Sequence, residues 1–258
     1  MIKLVCIDID GTATDGPDHP LRNQEKLADV IKETQKRGSI VYFVTGRGSA
    51  YVKNYLSTTE INASALCEMG AVHYSNSHAE PLSSDSVKSF MEIRGELEKI
   101  IESGLKGKYK QGWGKEGKEV MLTYNDHTQN RDISTMYRLI VSFLEKYNDK
   151  VDIMHSQTAV DVVPKGLNKA FAIRNIMEKY GIDGEIAAIG DSNGDKSMLD
   201  IADFVGAPQN AEESIKELVR ERKERGFISD KITTHGTCDF LRKLLALEYF
   251  TTAMDLSC

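Results

Sequence analysis

The sequence predicts a doubly wound α/β fold with a parallel central sheet, carrying an inserted α+β unit. Three observations lead there. Short apolar runs rich in β-branched residues alternate with stretches of helical period, the pattern of strands buried on both faces and of the helices that cover them. The alternation breaks off near Pro81 and resumes after Pro164. A length of 258 residues accommodates a core and a smaller insertion. The expected organisation is a core made of residues 1–81 and 162–258, with an α+β insert over 82–161.

The first strand, residues 3–9, is nearly all apolar and stops at Asp10-Gly11. A helix is expected over 23–37, where Leu27, Val30, Ile31 and Thr34 share a face and Gly38 ends it. A second strand, 40–44, runs into Thr45-Gly46-Arg47-Gly48. A right-handed crossover between the two strands brings both of their ends to one edge of the sheet. A helix over 49–56 and a strand over 65–68 continue the alternation. In the insert, helices are expected over 87–103 and 132–147, a strand over 119–124, and a hairpin of strands 151–155 and 158–163 turning at Ser156-Gln157. The core returns with helix 168–180, strand 186–189, helix 196–202, strand 204–205 and helix 212–225.

Lys and Arg number 33 against 39 Asp and Glu, which excludes a broad nucleic-acid footprint. Any bound anion must be held locally. No apolar run is long enough to span a bilayer, and residues 1–7 lead straight into acidic positions rather than a cleavage site. A cytoplasmic protein without a membrane partner is expected, as a monomer or homodimer. Cys6, Cys67, Cys238 and Cys258 form no CxxC pair, which argues against a zinc site and a disulfide framework. Cys6 and Cys67 are expected to pack as small apolar side chains.

The chemistry concentrates at strand ends. Asp8 and Asp10 flank one residue where the first strand meets Gly11, and Asp191 ends a later strand in Ala188-Ile189-Gly190-Asp191, with Asp195 one turn on. Open α/β sheets bind ligands at this edge. Carboxylates gathered there repel one another unless a cation neutralises them, and an all-oxygen ligand set points to Mg²⁺. Thr45 with Gly46 offers a hydroxyl and backbone N–H donors, and Lys169, just inside its helix, offers a point charge. An anion cradle beside a carboxylate–metal site selects phosphoryl transfer. Asp8 is the expected nucleophile, because an aspartyl-phosphate is an anhydride that water opens, and Asp10 the expected acid and base.

Asp8-Ile9-Asp10-Gly11-Thr12, Val44-Thr45-Gly46-Arg47, Lys169 in Leu167-Asn168-Lys169-Ala170, and Gly190-Asp191-Ser192-Asn193-Gly194-Asp195 together resemble the four motifs of haloacid-dehalogenase-superfamily phosphatases of subfamily IIB, over essentially the full length. The resemblance implies a Rossmann-like core with a type C2B cap and a small phosphorylated substrate such as a sugar phosphate or phosphoglycolate. It implies Asp8 as nucleophile, Asp10 as acid and base, and Thr45 and Lys169 on the phosphate. It places Asp8, Asp191 and the Asp10 carbonyl on magnesium, with Asp195 in or near the metal's outer shell, and Gly11, Gly46 and Asn193 beside the phosphate. Two positions depart from the family pattern: Gly194 stands where Asn usually precedes the last aspartate, with Asn193 the expected substitute, and Met69 stands where many relatives have Asn.

Competing motifs fail on context. Residues 112–117 spell GxGxxG, yet a strand-like stretch follows rather than a helix, so no dinucleotide site is expected. Asp191 to Asp195 begins like a calcium loop but carries Lys196 and Ala202 where glycine and glutamate belong. His19, His73, His127 and His155 lack metal-ligand spacing. In the insert, Trp113, Lys115, Lys118, His155 and Gln157 are candidates to face a substrate. Two alternatives stay open: a phosphomutase, which needs phosphate-binding arginines in the insert and has Arg94, Arg131 and Arg138 to offer, and a non-enzymatic phosphate-binding or partner-binding module.

Overall fold

A computed structural model describes residues 1–16, 21–109, 112–128, 131–156 and 158–255. His19, Gln157 and Cys258 lie outside the described residues. In chain order the elements are β1 (Ile2–Ile7), α1 (Gln24–Lys36), β2 (Ile40–Val44), α2 (Ser49–Thr59), β3 (Ser64–Cys67), β4 (Val72–Ser75), β5 (His78–Pro81), α3 (Asp85–Tyr109), β6 (Trp113–Glu116), β7 (Leu122–Asp126), α4 (Ile133–Phe143), β8 (Val151–His155), β9 (Ala159–Pro164), α5 (Lys169–Tyr180), β10 (Glu185–Ile189), α6 (Lys196–Ile201), β11 (Phe204–Ala207), α7 (Glu213–Glu221), β12 (Gly226–Ile228) and α8 (Thr233–Asp255).

The larger sheet has the order β12-β11-β10-β1-β2-β3-β4-β5, parallel from β12 to β3. β1 sits at its centre, and Val5, Cys6 and Ile7 are wholly buried because helices cover both faces. Burial pushes the Cys6 thiol up to about 12, so it packs as an inert apolar group, and Cys67 is buried likewise. The winding reverses between β1 and β10, which opens a crevice past their C-terminal ends. Asp8 directly follows β1 and Asp191 lies two residues past β10, one on each side of that crevice.

The sheet extends further than the apolar runs predict. β4 and β5 form an antiparallel edge hairpin, turning at Asn76 and Ser77 with φ of 51° and 63°. Two consecutive positive φ angles mark the turn that matches strand twist, but its usual glycine is missing here, which hides it from a sequence reading. β12 has only three residues, and α8, also unanticipated, buries Cys238, Phe240, Leu241 and Leu244.

The residues between Asp85 and Pro164 build a second, four-stranded antiparallel sheet in the order β6-β7-β9-β8, against which α3 and α4 pack. β9 carries this sheet to Pro164, past the expected division at 161/162. The strand expected over 119–124 begins only at Leu122. The reason is a long-range competitor: the amides of Glu119, Val120 and Met121 donate instead to the Glu68 carboxylate.

Candidate active site

Four charged side chains meet at the crevice. Lys169, the first residue of α5, is only 2% exposed, and its Nζ donates to Asp8 Oδ1 at 2.6 Å, Asp195 Oδ1 at 2.5 Å and the Val44 carbonyl at 2.7 Å. Three donors are all that an ammonium has. Asn168 caps α5 by accepting from the Phe171 amide, which fixes where the lysine starts. Asp195 is fully buried, and its Oδ2 accepts the Asp191 and Ser192 amides, both at 3.0 Å. It thereby shapes the loop that presents Asp191.

That arrangement answers the question raised by Gly194. The loop is organised by a capping box between Ser192 and Asp195. The Asn193 amide donates to Glu212 at 2.6 Å and its oxygen accepts from Ser214. These bonds tie the Asn193 side chain to the start of α7.

Burial drives the Asp8 carboxyl well above the usual carboxylate range, Asp195 and Asp191 push the same way, and Lys169 opposes them. Asp191 is pushed up to about 7, by burial first and by Asp195 second. Burial opposes the Lys169 charge, but Asp195 and Asp8 outweigh it and hold the ammonium above its ordinary range. Asp8, Asp191 and Asp195 can each place an oxygen within 4.8 Å of the others. Too many negative charges share too little water, and a divalent cation fits that deficit. With the Asp195 oxygens already committed to Lys169 and to backbone, the carboxylates open to such an ion are those of Asp8 and Asp191. Gly11 adds a steric observation: its φ is +76°, and a Cβ there would lie 2.3 Å from Asp191 Oδ2.

Thr45 is 1% exposed at the end of β2, next to the carbonyl that Lys169 binds, and its hydroxyl accepts from the Arg47 amide at 3.1 Å. Gly46 follows it at the same edge. Asp10 is partly exposed and its carboxylate is not in the acidic cluster: Arg47 grips it with Nε at 2.8 Å and Nη2 at 3.0 Å. Arg47 also stacks on Tyr51 at 4.8 Å. Sequence reading included Arg47 in a motif without giving it a task; its place beside Gly46 is the signal that was there to use.

Across the crevice, the segment 118–121 of the insert is held from two sides. Glu68, wholly buried, accepts the amides of Glu119, Val120 and Met121 at 2.7, 2.9 and 2.9 Å. Arg94 donates to the Lys118 and Val120 carbonyls at 2.8 and 2.7 Å. Glu68 and Met69 both have positive φ, 55° and 58°, a strained pair held by these contacts. Asn tolerates that conformation better than methionine. The segment delivers Lys118 to the Gly46 carbonyl at 3.0 Å and bonds Glu119 to Ser49. The other insert candidates go elsewhere: Lys115 pairs with Glu98 and Glu102, Trp113 is buried, and His155 lies against Tyr137. Arg94 is spent on carbonyls, Arg138 stays on its own helix and Arg131 is exposed.

The haloacid dehalogenase-like hydrolase family model matches residues 5–138 and 115–224. The chain belongs to that family. Among its relatives, the phosphoglycolate phosphatase of Thermoplasma volcanium is 27% identical over 84% of this chain and 89% of its own length. The phosphoglycolate phosphatase of Methanothrix thermoacetophila is 29% identical, covering 88% and 92%. The sucrose-phosphatase of Synechocystis, solved with sucrose and phosphate, aligns with a TM-score of 0.67 at 15% identity, covering 97% of this chain and 99% of that one. The fold is therefore that of the haloacid dehalogenase-like hydrolases, a Rossmann-like core bearing an added α+β unit.

Proposed function

We propose that this protein is a Mg²⁺-dependent phosphomonoester hydrolase that acts on a small phosphorylated metabolite through an aspartyl-phosphate on Asp8. The observation that carries this is the buried meeting of Asp8 and Asp195 on Lys169, with Asp191 beside them, at the sheet's switch point. Relatives named phosphoglycolate phosphatase support the phosphomonoester class. In this reading residues 1–81 and 162–258 form the catalytic core, and 82–161 the cap that selects the substrate. Three buried cysteines without disulfide partners, Cys6, Cys67 and Cys238, support a reducing, cytoplasmic setting.

Asp8 attacks phosphorus in line with the leaving oxygen, and the bond to that oxygen breaks as the Asp8–phosphorus bond forms. Asp10 gives the departing alkoxide a proton, then removes one from the water that opens the acyl phosphate. Lys169 favours the ionised form of Asp8 and aims it, and a phosphoryl oxygen takes over one of its three acceptor positions. The Thr45 hydroxyl and the Gly46 amide face the same oxygens. Asp8, Asp191 and the Asp10 carbonyl would hold magnesium, with Asp195 behind them, and the ion supplies charge neutralisation for the phosphoryl group.

The phosphomutase reading asks for arginines on a second phosphate, and Arg94, Arg131 and Arg138 have other positions. A non-catalytic module has no need of a lysine buried against a nucleophilic carboxylate. Hydrolysis of p-nitrophenyl phosphate with Mg²⁺ or with a chelator tests the proposal. Wild type should turn over only with the metal, and Asp8→Asn should lose at least about 1,000-fold. Retained turnover in Asp8→Asn would sink it.

A further inference from the structure

Resting on the hydrolase reading above, we propose that Lys118 is a specificity-determining residue that takes an anionic group at the end of the substrate remote from its phosphate. Among the described residues, Lys118 is the insert lysine whose ammonium bonds to the core across the seam. Lys115 and Lys146 pair with glutamates on α3, and Lys165 with Asp152 on β8. The Lys118 ammonium donates to the Gly46 carbonyl at 3.0 Å, with Glu116 at 3.7 Å, and its side chain is only 6% exposed.

Its position is over-determined. Glu68 takes the three amides that follow it and Arg94 takes two carbonyls, so the backbone of 118–121 cannot slide without breaking charge-assisted bonds. The placement matches the size of a small metabolite. Lys169 binds the Val44 carbonyl and Lys118 that of Gly46, two residues on, so the two ammonium groups are at most about 12 Å apart. Charge supplies the chemical class. Among the described residues of the insert, Lys118 is the cation bonded to the core at this seam, and an anionic group is what complements an ammonium there. Glu68 is then a positioning residue that acts through Lys118.

Steady-state kinetics on the full chain with Mg²⁺ test this, with phosphoglycolate, glucose 6-phosphate and p-nitrophenyl phosphate as probes. Wild type should prefer phosphoglycolate to glucose 6-phosphate. Lys118→Met should raise KM for phosphoglycolate and lower that preference at least about tenfold, and Lys118→Arg, which keeps the charge, should recover part of it. Glu68→Gln should shift the preference in the same direction, and the double variant should fall no further than the worse single one. If Glu68→Gln does not fold, the Met and Arg pair at Lys118 still decides. A wild type that prefers the sugar phosphate, or a preference untouched by Lys118→Met, overturns the assignment while leaving the hydrolase reading intact. A wild type inert toward all three probes ends both.

Discussion

Arg47 holds both carboxylate oxygens of Asp10, through Nε at 2.8 Å and Nη2 at 3.0 Å. The paired geometry fixes the plane of the carboxylate as well as its position, something a lysine cannot do. If Asp10 donates the proton to the leaving group, loosening it should hurt most where that proton matters. Arg47→Met is expected to lower kcat about 10- to 100-fold for alkyl phosphates. p-Nitrophenyl phosphate, whose leaving group needs no proton, should lose much less. Parallel rate measurements on the two substrate types check this, and equal losses would remove Asp10 from the proton-transfer role.

Lys169 is the sole cation bonded directly to Asp8 and Asp195 among the described residues, and all three side chains are at least nine-tenths buried. Removing one partner of a buried pair leaves uncompensated charge, at a cost of about 3–5 kcal/mol. Lys169→Met should therefore be destabilised by that order in denaturant unfolding and should be inactive. Adding Asp8→Asn removes one stranded carboxylate, so the double variant should regain part of the stability without regaining activity. A double variant less stable than Lys169→Met alone would contradict this account of the cluster.

The strand ends were legible because each acidic or hydroxyl residue terminates a short apolar run, and topology alone brings such ends to one edge. Asp8, Asp191 and Thr45 could be placed in this way. What lay beyond reach depended on side-chain direction across sequence distance. Asn193 and Asp195 belong to one loop, yet one faces α7 and the other the lysine, a choice made by the Ser192 capping box. The late start of β7 had no local signal either, because the competitor for its amides is Glu68, more than fifty residues upstream.

Gly11 offers a test that touches neither a charge nor a hydrogen-bonding side chain. A Cβ at its φ of +76° would stand 2.3 Å from Asp191 Oδ2. Gly11→Ala must either move Asp191 or distort the turn whose carbonyl accepts from Asn210. Weaker Mg²⁺ binding by at least about tenfold in calorimetric titration is expected, with kcat at saturating metal reduced less. An unchanged dissociation constant would detach Asp191 from the metal.

The raised carboxylates also give stability a pH signature. Burial and the neighbouring Asp195 push Asp191 up to about 7 in the folded chain against an ordinary value of 3.8, and Asp8 is raised as well. Between those limits the unfolded chain has shed protons that the folded chain keeps, so in a chelator stability should fall as pH rises from about 4 to 7. Magnesium binding expels those protons, so its stabilisation should grow across the same interval. Thermal unfolding from pH 5 to 8 should show the melting temperature in chelator dropping by several degrees and the gap to the magnesium-loaded protein widening. Glu68 and Asp161 are raised too and add slope of the same sign, while His73, depressed by burial, adds the opposite. The informative quantity is therefore the difference between wild type and Asp191→Asn. That variant should be the more stable in chelator at pH 7.5, draw closer to wild type as pH falls toward 4, and lose most of its response to magnesium; a magnesium gap as large as that of wild type would place the ion elsewhere.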